Sequence, residues 1–181
     1  MRIMPVLAFC CLLLLSFSAG ASDQSVLKNG TFSSGGQRPE DWQTRSVATT
    51  GDAGTVGEVT LDAETYHTES PSAKLENKSS TEYTFVSQII NVEPHTPYLL
   101  KGWVKEKVEE LGGEGRGVRM AVANAADGNI FAVSKSGSGS GDWEHVEVPF
   151  NSGDNDSVRI FLYLHQATGT AWFDDIEVVA E

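Results

Sequence analysis

The stretch Val158-Arg159-Ile160-Phe161-Leu162-Tyr163-Leu164-His165 leaves this chain few ways to fold. Side chains along a β-strand point alternately to opposite faces, so Val158, Ile160, Leu162 and Leu164 share one face and Arg159, Phe161, Tyr163 and His165 share the other. The aliphatic row is a core face. The second row is unusual for a surface that has only to be wetted, because it sets two aromatic rings, a guanidinium and an imidazole side by side. Such a row suits a groove that receives something flat and hydroxylated. The plainer alternative is that a second sheet or a loop covers Phe161 and Tyr163.

The same period recurs along the chain. Ser25 to Phe32 reads as a short strand running into a turn, and Trp42 as the anchor of the loop that follows. Short β-type runs follow at Val56 to Leu61, around Ala73 and Leu75, and from Tyr83 to Val92. In Tyr98 to Lys105, Tyr98, Leu100 and Val104 share one face, while Trp103 lies on the other with Lys101 and Lys105. Lys105 to Leu111 is acidic and helix-prone but sits between strands, and reads as a strand end plus a hairpin loop. Val118, Met120 and Val122 alternate with Arg119, Ala121 and Ala123, the two alanines leaving room above the sheet. Val146, Val148 and Phe150 form another core row, with Pro149 marking an edge strand. The chain then passes through residues 158–165 and, after Thr168-Gly169, residues 171–179, both expected to be paired strands close to the N-terminal segment. Many short alternating strands, turns rich in Gly, Asn, Asp and Ser, and no convincing helix predict an all-β, two-layer antiparallel sandwich.

Residues 1–21 read as a secretory signal peptide: Arg2 near the start, an apolar run from Val6 to Phe17, and small residues at Ala19 and Ala21. Cleavage after Ala21 would leave residues 22–181 as a single domain, secreted or periplasmic. Both cysteines, Cys10 and Cys11, would depart with the leader, so the exported form has no disulfide or cysteine metal site. The net charge of −12 becomes one unit more negative when Arg2 is lost. A chain this acidic, with no basic stripe, is a poor partner for nucleic acid or an anionic membrane. Its charge reads first as a solubility device.

Four motifs together carry a resemblance. They are Leu27-Lys28-Asn29-Gly30-Thr31-Phe32 followed by Pro39 and Trp42; Val92-Glu93-Pro94 leading to Tyr98 through Lys105; Asp142-Trp143-Glu144-His145-Val146; and Gly169-Thr170-Ala171-Trp172-Phe173-Asp174-Asp175-Ile176. In order and spacing they resemble carbohydrate-binding modules of families 4, 9 and 22, found beside xylanases and cellulases. The resemblance covers nearly all of residues 25 to 179. It implies a jelly roll of galactose-binding-like type, a concave face that binds a glycan chain, and often a structural calcium. A calcium site would use Asp174 with backbone carbonyls of the N-terminal loop and of the turn from Thr68 to Ser70. One departure bears on this: the family often places Glu after the motif's Phe, whereas Phe32 is followed by Ser33.

No pattern of catalytic residues stands out. A glycosidase needs two carboxylates across one groove, and the acids in strands, such as Glu147 and Glu177, occupy ordinary solvated faces. No nucleophile elbow, zinc-binding helix or phosphate loop occurs, and the four histidines lack metal-ligand spacing. The expected function is therefore non-catalytic binding of a polysaccharide or oligosaccharide. Strand parity, rather than any family motif, nominates Trp103, Phe161 and Tyr163 as stacking platforms and Arg119, Arg159 and His165 as polar contacts. Two alternatives stay open: a secreted adhesion or assembly protein using the same face for protein contact, and a jelly-roll polysaccharide lyase or hydrolase.

Overall fold

A computed structural model describes residues 24–47, 56–114 and 116–181; the expected signal peptide and its cleavage point lie outside these residues. Ten strands and no helix occur among them. In chain order they are β1 (Gln43–Val47), β2 (Gly57–Asp62), β3 (Ser72–Asn77), β4 (Tyr83–Asn91), β5 (Pro97–Leu111), β6 (Gly117–Asn124), β7 (Ile130–Val133), β8 (Glu144–Asn151), β9 (Ser157–His165) and β10 (Ala167–Ala180). They form two five-stranded sheets, one in the order β1-β4-β9-β6-β7 and the other in the order β2-β3-β10-β5-β8. The paired strands are antiparallel throughout. This is the two-layer sandwich that the alternation predicts.

The opening stretch is β9, the central strand of the first sheet. Val158, Ile160, Leu162 and Leu164 are fully buried, as are Met120 and Val122 beside them on β6 and Val86 on β4. From the second sheet, Leu75, Leu100, Phe173 and Val178 close over this row with no exposure at all. Each such side chain contributes about 1.5–3 kcal/mol by leaving water. β9 and β10 are both paired, though not with each other: the chain crosses from one sheet to the other at Gln166, whose φ of 45° turns it sharply. β8, which carries Pro149, is an edge strand.

The structure corrects the sequence reading in three places. Residues 25–32 are not a strand. Asn29 and Phe32 take positive φ, 47° and 53°, and coil the segment, which is nevertheless tied to β10 by Val26 N–H donating to Val178 O at 2.9 Å and Ile176 N–H to Gly30 O at 2.9 Å. The two ends of the domain thus adjoin. The approach is so close that a Cβ on Gly30 would lie 1.8 Å from Ile176 O. Second, Lys105 to Leu111 stays in strand β5, because β10 pairs with it from Ala167↔Leu111 to Trp172↔Lys105. A partner strand supplying hydrogen bonds overrides a helical preference of a few tenths of a kcal/mol per residue. Third, β7 forms at Ile130–Val133, a stretch to which the sequence reading assigns no element, and pairs along the flank of β6.

The N-terminal loop is secured from the core side. Gln88 points inward from β4, and its amide accepts from Lys28 N–H at 2.8 Å and donates to Lys28 O at 2.9 Å. Trp42 is buried and donates from Nε1 to Asn29 O at 3.0 Å, so it anchors this loop as its position suggests.

Candidate functional site: an aromatic groove on one sheet

The outward row of β9 keeps the parity read from the sequence. Register places Phe85 of β4 opposite Tyr163, Ser87 opposite Phe161, and Tyr83 opposite His165. On the other side, Arg119 of β6 lies opposite Tyr163 and Ala121 opposite Phe161. The rings meet edge to face or stacked: Phe85 and Phe161 at 5.3 Å and 74°, Tyr83 and Phe85 at 6.0 Å and 26°, Tyr163 and His165 at 5.6 Å and 70°. Together with Gly128 and Ile130 these residues line a cleft of about 300 Å³. Ile130, half exposed at the start of β7, forms its far wall.

Phe161 is partly exposed at the centre of this face, with the Arg159 guanidinium 5.9 Å from its ring centroid. Arg159 donates from Nη1 to Gln43 Oε1 at 3.1 Å, which holds it along the sheet rather than out in water. It belongs to a second hollow beside the first, lined also by Gln43, Arg45, Phe85 and Asp127. Tyr163 is only 8% exposed and serves as floor more than platform. Burial pushes its hydroxyl up in pKa, opposed by the charge of the neighbouring Arg119 guanidinium. His165 is held below the ordinary histidine value, first by burial and then by the Arg116 and Arg119 charges; Arg116 Nη1 lies 3.4 Å from its Nε2. Ala121 and Ala123 are fully shielded. The turn after β6, residues 125–128, borders the second hollow beside Phe85 and Phe161.

Trp103 does not join this groove. It faces outward with Lys101 and Lys105, as expected, but β5 belongs to the opposite sheet. There the His67 ring stacks on it at 3.9 Å and 15°, with His145 at 5.2 Å and Trp143 against His67 at 5.8 Å. Parity fixes the face of a strand and says nothing of which sheet the strand enters, and that is where the expectation failed. Conversely, sequence reasoning missed Tyr83, Phe85, Ile130 and Arg116. The first two carried a usable signal, since they alternate with Thr84 and Val86 in the same way that Phe161 and Tyr163 alternate with Ile160 and Leu162.

The Asp174 carboxylate is fully buried under the loop between β2 and β3. Its Oδ2 accepts from His67 N–H at 2.8 Å and its Oδ1 from Asp175 N–H at 2.9 Å. Burial pushes its pKa up to about 6 despite these two donors. In the N-terminal loop, Gly30 O accepts from Ile176 N–H, and Asn29 O from Phe32 N–H and Trp42 Nε1. Among the described residues no three acidic, histidine or cysteine side chains converge. Calcium takes six to eight oxygens; Asp174 brings one carboxylate, each of whose oxygens already accepts an N–H group.

Among curated protein sequences none matches this chain. Among solved structures it is similar to the enzymatically active domain of tailspike protein 4 of bacteriophage CBA120, with a TM-score of 0.64 and 14% identity over 87% of this chain, although it spans 21% of that one. It is similar also to a family 4 carbohydrate-binding module (TM-score 0.61, 19% identity, 87% of this chain and 100% of that one). A family 61 module solved with β-1,4-galactotriose gives a TM-score of 0.58 and 15% identity over 87% of this chain and 99% of that one. At these identities the likeness is one of fold. A family model described as a carbohydrate binding domain matches residues 24–169, from the N-terminal loop into the start of β10. The chain belongs to that family of carbohydrate binding domains.

Proposed function

We propose that the aromatic groove on the first sheet binds a polysaccharide chain and leaves it chemically unchanged. The observation that carries this reading is the continuous outward set of Tyr83, Phe85, Phe161, Tyr163 and His165. A sugar ring has an apolar C–H face and a rim of hydroxyls, so it is held by aromatic faces flanked with planar hydrogen-bonding groups. Phe161 offers the exposed ring, with Arg159, Gln43 and His165 within reach of hydroxyls on either side. Galactotriose bound to the family 61 module, a relative in fold, supports the same ligand class. The absence of catalysis is supported by the lining of the two hollows, which holds one carboxylate, Asp127. Its oxygens accept from Asn129 N–H and Nδ2. Hydrolysis of a glycoside calls for two carboxylates across the bond. In this reading the leader exports the domain to meet its glycan outside the cytoplasm.

Affinity electrophoresis through gels containing single polysaccharides tests the proposal. At least one should retard the parent protein, with Phe161→Ala and Tyr83→Ala each migrating as though the polysaccharide were absent. Retardation that both variants retain would place the site elsewhere, and shortening of a bound polysaccharide would contradict the non-catalytic reading.

A further inference from the structure

The register of the first sheet aligns one transverse row across four strands: Arg45 of β1 opposite Phe85 of β4, Phe85 opposite Tyr163 of β9, and Tyr163 opposite Arg119 of β6. The row therefore runs from guanidinium to aromatic to aromatic to guanidinium. Three strand spacings separate its ends, about 14 Å. Arg116 and Arg159 stand on either side of it, against His165 and Phe161 respectively. Of the chain's six arginines, one is in the leader and four are on this face.

These arginines are treated differently from the lysines of the opposite sheet. There Lys74 meets Glu76 at 2.6 Å, Lys101 meets Glu177 at 3.0 Å and Lys105 meets Asp142 at 2.9 Å. On the groove side, Arg159 contacts Gln43 and Ser87, Arg116 contacts His165, and Arg119 lies opposite Tyr163. Those partners are uncharged. Arg119 Nε and His165 Nδ1 also have no hydrogen-bond partner although shielded from solvent. In a chain of net charge −12 with 25 acidic residues, a face that sets Arg116, Arg119 and Arg159 beside neutral partners and leaves Arg45 exposed has positive charge available. A guanidinium fork matches the two oxygens of a carboxylate or sulfate better than it matches a lone hydroxyl.

Resting on the groove assignment above, we infer that the ligand is an acidic polysaccharide that crosses the strands along this row, with anionic groups taken by Arg119 at one end and Arg45 at the other. Phe85 and Tyr163 form the apolar floor between them, and Phe161 and Tyr83 the two shoulders. The overall negative charge repels a polyanion at long range, so attraction confined to this face would discriminate strongly among glycans.

The test is affinity electrophoresis on three sets of polymers: neutral (xylan, β-galactan, β-glucan), carboxylated (polygalacturonate, alginate) and sulfated (carrageenan). The parent should be retarded by a carboxylated or sulfated polymer, which of the two naming the anionic group, and by neutral polymers at least tenfold less. Retention should weaken as salt rises. Arg119→Gln and Arg45→Gln should each lose fivefold or more, Arg119→Lys should restore only part, and Lys101→Gln on the far sheet should bind as the parent does. Arg45 is exposed, so its replacement leaves folding intact and guards against a misfolded Arg119 variant. Retention by neutral polymers alone, unaffected by either arginine change but lost in Phe161→Ala, would overturn the acidic ligand and keep the groove. Retention of any polymer that Phe161→Ala leaves intact would overturn both, as would no retention at all.

Discussion

Trp103 and Phe161 are both partly exposed aromatics on outward rows, and the fold separates their roles by placing them on opposite sheets. Replacing Trp103 with Ala removes a large ring stacked on His67 at 3.9 Å. With about 100–150 Å² of apolar surface returned to water at about 25 cal/mol per Å², the loss is about 2.5–4 kcal/mol. The loop carrying His67 also loses its seat above Asp174. In a domain of this size each kcal/mol moves the melting midpoint by about 2–4 °C, so a fall of roughly 5–15 °C is expected. Glycan affinity at 25 °C, well below that midpoint, should be unchanged. Phe161→Ala should instead cost about 1–3 kcal/mol of binding, roughly 5- to 150-fold in Kd. Differential scanning calorimetry and isothermal titration calorimetry on the two variants give both quantities. If Trp103→Ala weakens binding while holding its midpoint, or Phe161→Ala binds as the parent does, the assignment of the groove to the first sheet is wrong.

Gly30→Ala should destabilise the domain by about 2 kcal/mol or more, since the new Cβ would fall 1.8 Å from Ile176 O; an unchanged urea midpoint would show that the two chain ends do not meet as described. His165 has a pKa lowered from 6.5, so the unfolded chain binds its proton more readily than the folded one. The stability this ring contributes is present above pH 6.5 and is lost as pH falls toward the lowered value. Acidification through that window should therefore reduce the parent's urea midpoint more than that of His165→Gln, and parallel losses would contradict the burial of the ring. Calcium or a chelator should leave the melting midpoint where it is, because the Asp174 oxygens already accept two N–H groups; a midpoint that climbs with calcium concentration would reveal an ion held in the native state.

The parts of this fold legible in sequence are those that depend on one strand at a time. The inward row of β9, the inward rows of β5 and β6, and the edge position of β8 all follow from period two and from Pro149. What depends on pairing was not legible. Trp103 carries no mark of which sheet β5 joins, and the charged run from Lys105 to Leu111 becomes strand only because β10 lies beside it. The curl of residues 25–32 depends on left-handed conformations at Asn29 and Phe32, the second an unusual place for an aromatic residue. Half of the groove was within reach all the same. Phe161, Tyr163 and His165 were read from β9, and Tyr83 and Phe85 could have been read from β4 by the same rule; that they adjoin is a matter of register. Arg119 opposite Tyr163, and Arg45 two strands further across, are likewise facts of register.

The central claim is that this domain meets its glycan on the sheet β1-β4-β9-β6-β7. Titration of the isotopically labelled protein with an oligosaccharide of the retained polymer, followed through amide and aromatic NMR shifts, addresses it most directly. Saturable shifts are expected at Tyr83, Phe85, Ile130, Phe161, Tyr163 and His165, with Arg45 and Arg119 side-chain signals moving in step. Signals of His67, Trp103, Trp143 and His145 should stay still. Shifts centred on that second cluster, with the β9 row unmoved, would contradict it.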